Sequence, residues 1–151
     1  MTDQEEIEAI RAVVANVAHH IDAKRWEDLR ALYSSEVETD YTSLFGGTPA
    51  KQAADALIAS WRGVLTNVAT QHLLGPIEVR TQTVTAVARC HVRAFHLAPR
   101  APGGAVWEVL GHYVFELFRE PAAWKITKMK LETLLQTGNA QLLAEASAGQ
   151  G

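Results

Sequence analysis

Val84-Thr85-Ala86-Val87-Ala88-Arg89-Cys90-His91-Val92-Arg93-Ala94-Phe95-His96 alternates in character at every step. The even positions are small and apolar until the run ends at His96, whereas the odd positions Thr85, Val87, Arg89, His91, Arg93 and Phe95 are bulky or charged. A period of two marks a strand with distinct faces. Small residues on one face only fit a strand turned toward a narrow interior. Parity therefore puts Cys90 and His96 inside and His91 outside.

Downstream, residues 99–104 are rich in proline and glycine and predict a hairpin loop. Trp107, Val109, Gly111, Tyr113, Phe115 and Leu117 then make the apolar face of a second long strand. Its other face mixes Glu108, His112 and Glu116 with Leu110, Val114 and Phe118, a pattern that often packs on a partner subunit. Glu120-Pro121 turns the chain, residues 124–135 supply a last long strand, and residues 141–146 a short terminal helix. Residues 146–151 are expected to fray, leaving one domain over residues 1–145.

Upstream, strand pieces at 70–74 and 77–81 flank Gly75-Pro76. The first opens with Thr70-Gln71-His72, which points an imidazole inward at the start of a strand. An inward histidine can move a proton near neutral pH. Thr2 and Glu5 form a capping-box pair, and Ile7, Ile10, Val14, Val17 and Ile21 recur as one helical stripe. That helix ends near Asp22, the unfavourable end of the macrodipole for a carboxylate. Either a solvated turn balanced by Lys24 and Arg25, or a partner from elsewhere in the chain, accounts for it.

Trp26, Leu29, Leu32 and Tyr33 predict a short second helix. Residues 37–42 alternate as a strand with Val37, Thr39 and Tyr41 on the inner face. Thr48-Pro49 predicts the start of a third helix through Ala53, Ala54, Leu57, Ile58, Trp61 and Leu65. Three helices with one strand among them, followed by a curved antiparallel sheet, define an α+β fold. A bent sheet closed by helices is a cone with one open mouth, where pockets form.

The 151 residues, 48% hydrophobic and 21% charged, fit one soluble domain with a real core. A net charge of −3 offers no basic footprint for nucleic acid. The one cysteine, Cys90, permits no disulfide within the chain and no cysteine metal cluster. No run is long and apolar enough for a membrane helix and none resembles a signal peptide, so a reducing cytoplasm is the expected setting.

Four inward polar residues are candidates for the cone's mouth: Asp22, Tyr41, His72 and His96. The set suits acid–base work, because a carboxylate beside an imidazole fixes its tautomer and raises its basicity. A tyrosine hydroxyl polarises a carbonyl, and a second histidine takes or gives the other proton. Ile21, Trp61, Leu74, Cys90, Trp107, Tyr113 and Phe115 are the expected substrate-pocket lining. His19, His20, His91 and His112 read as surface or interface residues, and no metal and no cofactor is expected.

The order Asp22-Ala23-Lys24-Arg25-Trp26, Thr39-Asp40-Tyr41, Thr70-Gln71-His72 and His96 resembles the scytalone dehydratase branch of the SnoaL-like, nuclear-transport-factor-2-like superfamily. The resemblance runs from the first helix to the last strand. It implies a cone-shaped, cystatin-like α+β barrel in which Asp22 orients His72, Tyr41 is the electrophilic donor and His96 is the second proton carrier or water holder. Two departures stand out: Ile21 occupies the place of a second family tyrosine, and the strand carrying the family's asparagine offers only Tyr113 as a polar substitute. Val17 replaces the lysine of the dehydrochlorinases of the superfamily.

The resemblance implies a cofactor-independent lyase that abstracts a proton beside a carbonyl and expels water. Its substrate would be small, mostly apolar, aromatic or polycyclic. An isomerase using the same abstraction and a non-catalytic small-molecule-binding module are the alternatives. The epoxide hydrolases of the superfamily need an inward arginine, and parity turns Arg89 and Arg93 outward. A homo-oligomer, dimer or trimer, is expected, since a curved sheet with an apolar-mixed outer face wants covering.

Overall fold

A computed structural model describes residues 2–148. Helix α1 spans Asp3–Asp22 and starts with the expected box: Glu5 N–H donates to Thr2 Oγ1 at 3.2 Å and Thr2 N–H to Glu5 Oε2 at 2.7 Å. Its buried stripe is Ile10, Val14, Val17, Ala18 and Ile21. Each large member contributes on the order of 2 kcal/mol by leaving water. The chain reverses at Lys24, whose φ of 55° is left-handed and whose Nζ donates to Leu65 O at 2.7 Å.

Helix α2 covers only Trp26–Arg30, and Tyr33 opens strand β1 (Tyr33–Asp40) instead of ending the helix as expected. Helical and extended readings of Tyr33 both bury the ring, so spacing alone could not separate them. Tyr41 lies just past β1, where it precedes the single turn α3 (Thr42–Phe45), an element the sequence reading omitted. Thr48-Pro49 does not cap a helix. Strand β2 (Ala50–Ala53) follows and pairs antiparallel with β1 at the sheet edge, and helix α4 (Ala54–Val64) starts later. A proline just before an edge strand removes no ladder bond.

Strands β3 (Ala69–Leu74) and β4 (Glu78–Thr81) pair with opposite ends of β5 (Thr85–Leu97). Strand β5 continues into β6 (Val106–Arg119) and β7 (Trp124–Gly138), and helix α5 (Leu142–Ala148) closes the described chain. The sheet order is β2-β1-β7-β6-β5-β3, with β4 beside β5. The sheet is curved but does not close, so the expected barrel is an open one. It is also not wholly antiparallel, because β1 runs parallel to β7. Side-chain alternation is the same in either direction, which is why parity could not reveal this.

Along β5 the inner positions Ala86, Ala88, Cys90, Val92, Ala94 and His96 are all buried and His91 is exposed, whereas Val84, expected on the same inner face, precedes the strand and is exposed. The β6–β7 ladder slips register between Leu110 and Gly111 and again between Glu116 and Leu117. Such irregularities bend strands. A Cβ at Gly111 would stand 2.1 Å from the Glu132 carbonyl oxygen, so only glycine allows this approach. Ala146, expected to begin a frayed tail, is instead buried within α5, and the helix runs to Ala148. Residues 149–151 of that expected tail lie outside the described residues. Among the described residues no helix is long and apolar enough to cross a membrane.

Candidate active site

Asp22 ends α1 facing β3. Its Oδ1 accepts from His72 Nδ1 at 2.7 Å and from Thr70 Oγ1 at 2.9 Å, and its Oδ2 accepts from the His72 backbone N–H at 2.8 Å. Three donors on one carboxylate fix its position and orientation. The solvated-turn alternative does not hold: Lys24 bonds Leu65 O, and Arg25 bonds His20 Nδ1. Burial alone would raise the Asp22 carboxyl, but the hydrogen bonds from His72 and Thr70 outweigh it and hold it below its ordinary value.

A carboxylate is acceptor-only, so His72 Nδ1 carries hydrogen, and in the neutral ring the lone pair is then on Nε2. The His72 side chain is 9% exposed and borders a cavity of about 430 Å³. His96 borders the same cavity with its ring 6.1 Å from that of His72. His96 Nδ1 lies 3.1 Å from Trp107 O, which makes that nitrogen the donor and leaves Nε2 an acceptor. Burial pulls the His96 pKa down to about 4, so this ring is neutral at pH 7. It can hold a hydroxyl or water there, but it has no second proton to give.

Tyr41 also lines the cavity, with its hydroxyl toward Met129 Sδ at 3.7 Å. Burial pushes its pKa well above the ordinary phenol value. Asp22, Thr70, His72, His96 and Tyr41 are thus gathered from α1, β3, β5 and the end of β1. Within Thr70-Gln71-His72, the Thr70 hydroxyl supplies the third donor on Asp22.

Of the expected pocket lining, Ile21, Trp61, Trp107 and Tyr113 border the cavity. Leu74, Cys90 and Phe115 do not. Cys90 and Phe115 face inward but are 3% and 0% exposed in the core, with burial raising the Cys90 thiol to about 11. Leu74 packs against the core from the end of β3 beyond His72. Parity assigns a face and not a depth, so it could not tell floor from foundation.

Leu44 and Phe45 of α3, and Leu143, Ala144 and Ser147 of α5, line the mouth and were missed. The apolar pair before Gly46-Gly47 was the one local sign of the first group. The second depends on where α5 lands. Glu145 Oε2 accepts from Gly103 N–H at 3.0 Å and from Asn139 Nδ2 at 2.8 Å, which ties α5 to the β5–β6 hairpin. On the outer face Arg89 pairs with Glu132 and Arg93 with Glu108, both away from the cavity. His91 and His112 lie side by side there, with ring centroids 4.5 Å apart and planes tilted by 45°. Among the described residues no three His, Cys, Asp or Glu side chains converge as a metal-ligand set.

The family model of the SnoaL-like domain matches residues 2–130. No curated protein matches the chain at a significant level. Among solved structures, the protein Kfla4162 from Kribbella flavida superimposes with a TM-score of 0.88 at 26% identity, covering 95% of this chain and 99% of that one. An NTF2-like protein with a cystatin-like fold from Novosphingobium aromaticivorans gives 0.68 at 26% identity, covering 94% and 89%. A candidate scytalone dehydratase from Novosphingobium aromaticivorans gives 0.78 at 22% identity, covering 91% and 89%, a likeness that speaks for the fold alone.

Proposed function

The chain belongs to the SnoaL-like domain family, and on that premise we propose that it is a cofactor-independent lyase of the dehydratase type. The observation that carries this reading is the 2.7 Å bond from His72 Nδ1 to Asp22 at the wall of an apolar cavity. That bond leaves Nε2 of His72 as the base. The cavity's aromatic rings, Tyr41, Phe45, Trp61, Trp107 and Tyr113, favour a flat, uncharged substrate. A volume of about 430 Å³ is at the small end for a ligand site and suits two or three fused rings.

His72 Nε2 removes the proton beside the carbonyl, and the C–H electron pair moves into an enolate with its charge on the carbonyl oxygen. Collapse of the enolate re-forms the C=O, makes the new C=C and expels the β-hydroxyl. The leaving oxygen needs a proton, and neutral His96 has none to offer at pH 7. The imidazolium of His72 returns the one it took, water departs, and His72 ends as it began. His96 Nε2 accepts a hydrogen bond from the hydroxyl until then.

The same economy of protons favours an isomerase as the second reading, with His72 delivering the proton to another carbon. Loss of water from the product separates the two. The test common to both is exchange of protons beside the carbonyl of a bicyclic ketone such as 1-tetralone in D2O, followed by NMR. The protein is expected to accelerate exchange and His72→Ala to abolish it. Equal exchange by wild type and His72→Ala rejects both readings.

A further inference from the structure

We infer that Tyr113, on β6, donates a hydrogen bond directly to the carbonyl oxygen of the substrate and is a catalytic residue. This rests on the proton-abstraction reading above. The chain has three tyrosines, and the hydroxyls of two already have partners. Tyr33 points its hydroxyl to Met129 Sδ at 3.5 Å and Tyr41 points to the same sulfur at 3.7 Å. Tyr113 is only 6% exposed, yet its hydroxyl makes no hydrogen bond among the described residues.

Such a group is costly unless something else meets it. Among the described residues no side-chain nitrogen or oxygen is sealed off without a partner. The Tyr113 oxygen therefore reaches open space, and the space it borders is the cavity of His72 and His96. It is the one tyrosine there left with its donor free for a ligand.

Its protonation state suits the task. Burial raises the Tyr113 pKa far above the ordinary phenol value, with Tyr41, Cys90 and Asp22 adding to the rise. The hydroxyl keeps its proton and donates it in a hydrogen bond without transferring it. The position suits it too. Tyr113 sits between Cys90 on β5 and Leu131 on β7, and its hydroxyl hydrogen-bonds neither. It comes from the middle of β6, while His72 comes from β3 beyond β5. A ketone spanning the cavity can thus meet the base on one side and the phenol on the other. Donors placed where enolate charge develops are worth about 10²–10³-fold in rate.

The experiment uses 1-tetralone carrying a ¹³C carbonyl, with tetralin as the oxygen-free control, on the intact protein. The infrared carbonyl band of bound tetralone is expected at lowered frequency in wild type, Tyr41→Phe and His72→Ala. In Tyr113→Phe it returns toward the unbonded value. Tetralone is expected to bind wild type at least about tenfold more tightly than tetralin, and Tyr113→Phe removes that preference. Proton exchange falls about 10²–10³-fold in Tyr113→Phe.

A band in Tyr113→Phe as low as in wild type overturns the inference, as does wild-type protein that does not prefer the ketone. If Tyr113→Phe does not fold, 3-fluorotyrosine incorporated into Tyr41→Phe keeps the test. A more acidic phenol should lower the band further, and an unmoved band overturns the inference. Persistent exchange in His72→Ala with the band still sensitive to Tyr113 sinks the lyase reading and leaves Tyr113 as the ligand's donor.

Discussion

Asp22 Oδ1 and His72 Nδ1 lie 2.7 Å apart although 50 residues separate them along the chain. The pair is asymmetric in its hydrogen-bond roles. Every partner of Asp22 is a donor: the His72 ring, the His72 backbone N–H and the Thr70 hydroxyl.

That asymmetry makes Asp22→Asn informative. An amide group must turn its NH2 toward one set of those donors. Facing the ring, it forces His72 into the tautomer with hydrogen on Nε2 and abolishes the base. Facing the backbone, it sets donor against donor. The proton-exchange rate on 1-tetralone is expected to fall by at least about 10², with the circular dichroism spectrum unchanged. A variant that exchanges as fast as wild type excludes Asp22 from the mechanism.

Thr70→Val removes one donor and nearly preserves shape. The variant is expected to lose about 1–2 kcal/mol of stability, read from urea midpoints at pH 7. The Asp22 carboxyl should rise toward its ordinary value, because one of the bonds that depress it is gone. Carboxyl ¹³C shifts against pH measure this, and an unmoved titration refutes Thr70's part in holding Asp22.

His96 predicts how stability depends on acid. Its folded pKa of about 4 lies below the unfolded value of about 6.5, so between these limits the unfolded chain binds the extra proton. Stability therefore falls as pH drops from about 6.5 to 4, by on the order of 3 kcal/mol from this group. Asp22 acts lower down: its depressed pKa gives stability that is present above about 3.9 and is lost as pH falls through the folded value. Urea unfolding of His96→Gln should show a flatter profile between pH 6.5 and 4 than wild type. Parallel profiles would mean that His96 is not held neutral.

Gly111→Ala places a methyl group within 2.1 Å of the Glu132 carbonyl oxygen across β6 and β7. The backbone must move apart at the register slip, at a cost on the order of 3 kcal/mol or more. Thermal unfolding would record it, and a variant as stable as wild type shows that the two strands are not so close.

The outer face carries Phe118 near one end of β6 and Leu135, in register with Leu110, near the other, at 43% and 51% exposure. We propose that another copy of the chain covers this face. Sedimentation is expected to show a dimer or trimer that Phe118→Glu with Leu135→Glu dissociates. A monomeric wild type at micromolar concentration rejects the proposal.

Alternation and helical spacing were enough to determine, from sequence, the strands around β5, β6 and β7, the buried stripe of α1 and the inward sense of Cys90, His96 and Tyr113. These are local periodicities, and each strand carries its own. The residue order from Asp22 to His96 also sufficed to suggest the α+β cone. Only the tertiary structure decided the parallel pairing of β1 with β7, since alternation does not encode direction. It alone separated cavity walls from core, since a face has no depth until strands are stacked. The landing of α3 and α5 on the mouth, and the difference between Tyr41 and Tyr113, turned on which hydroxyl found a partner. Partners such as Met129 come from distant parts of the chain, and only packing chooses among them.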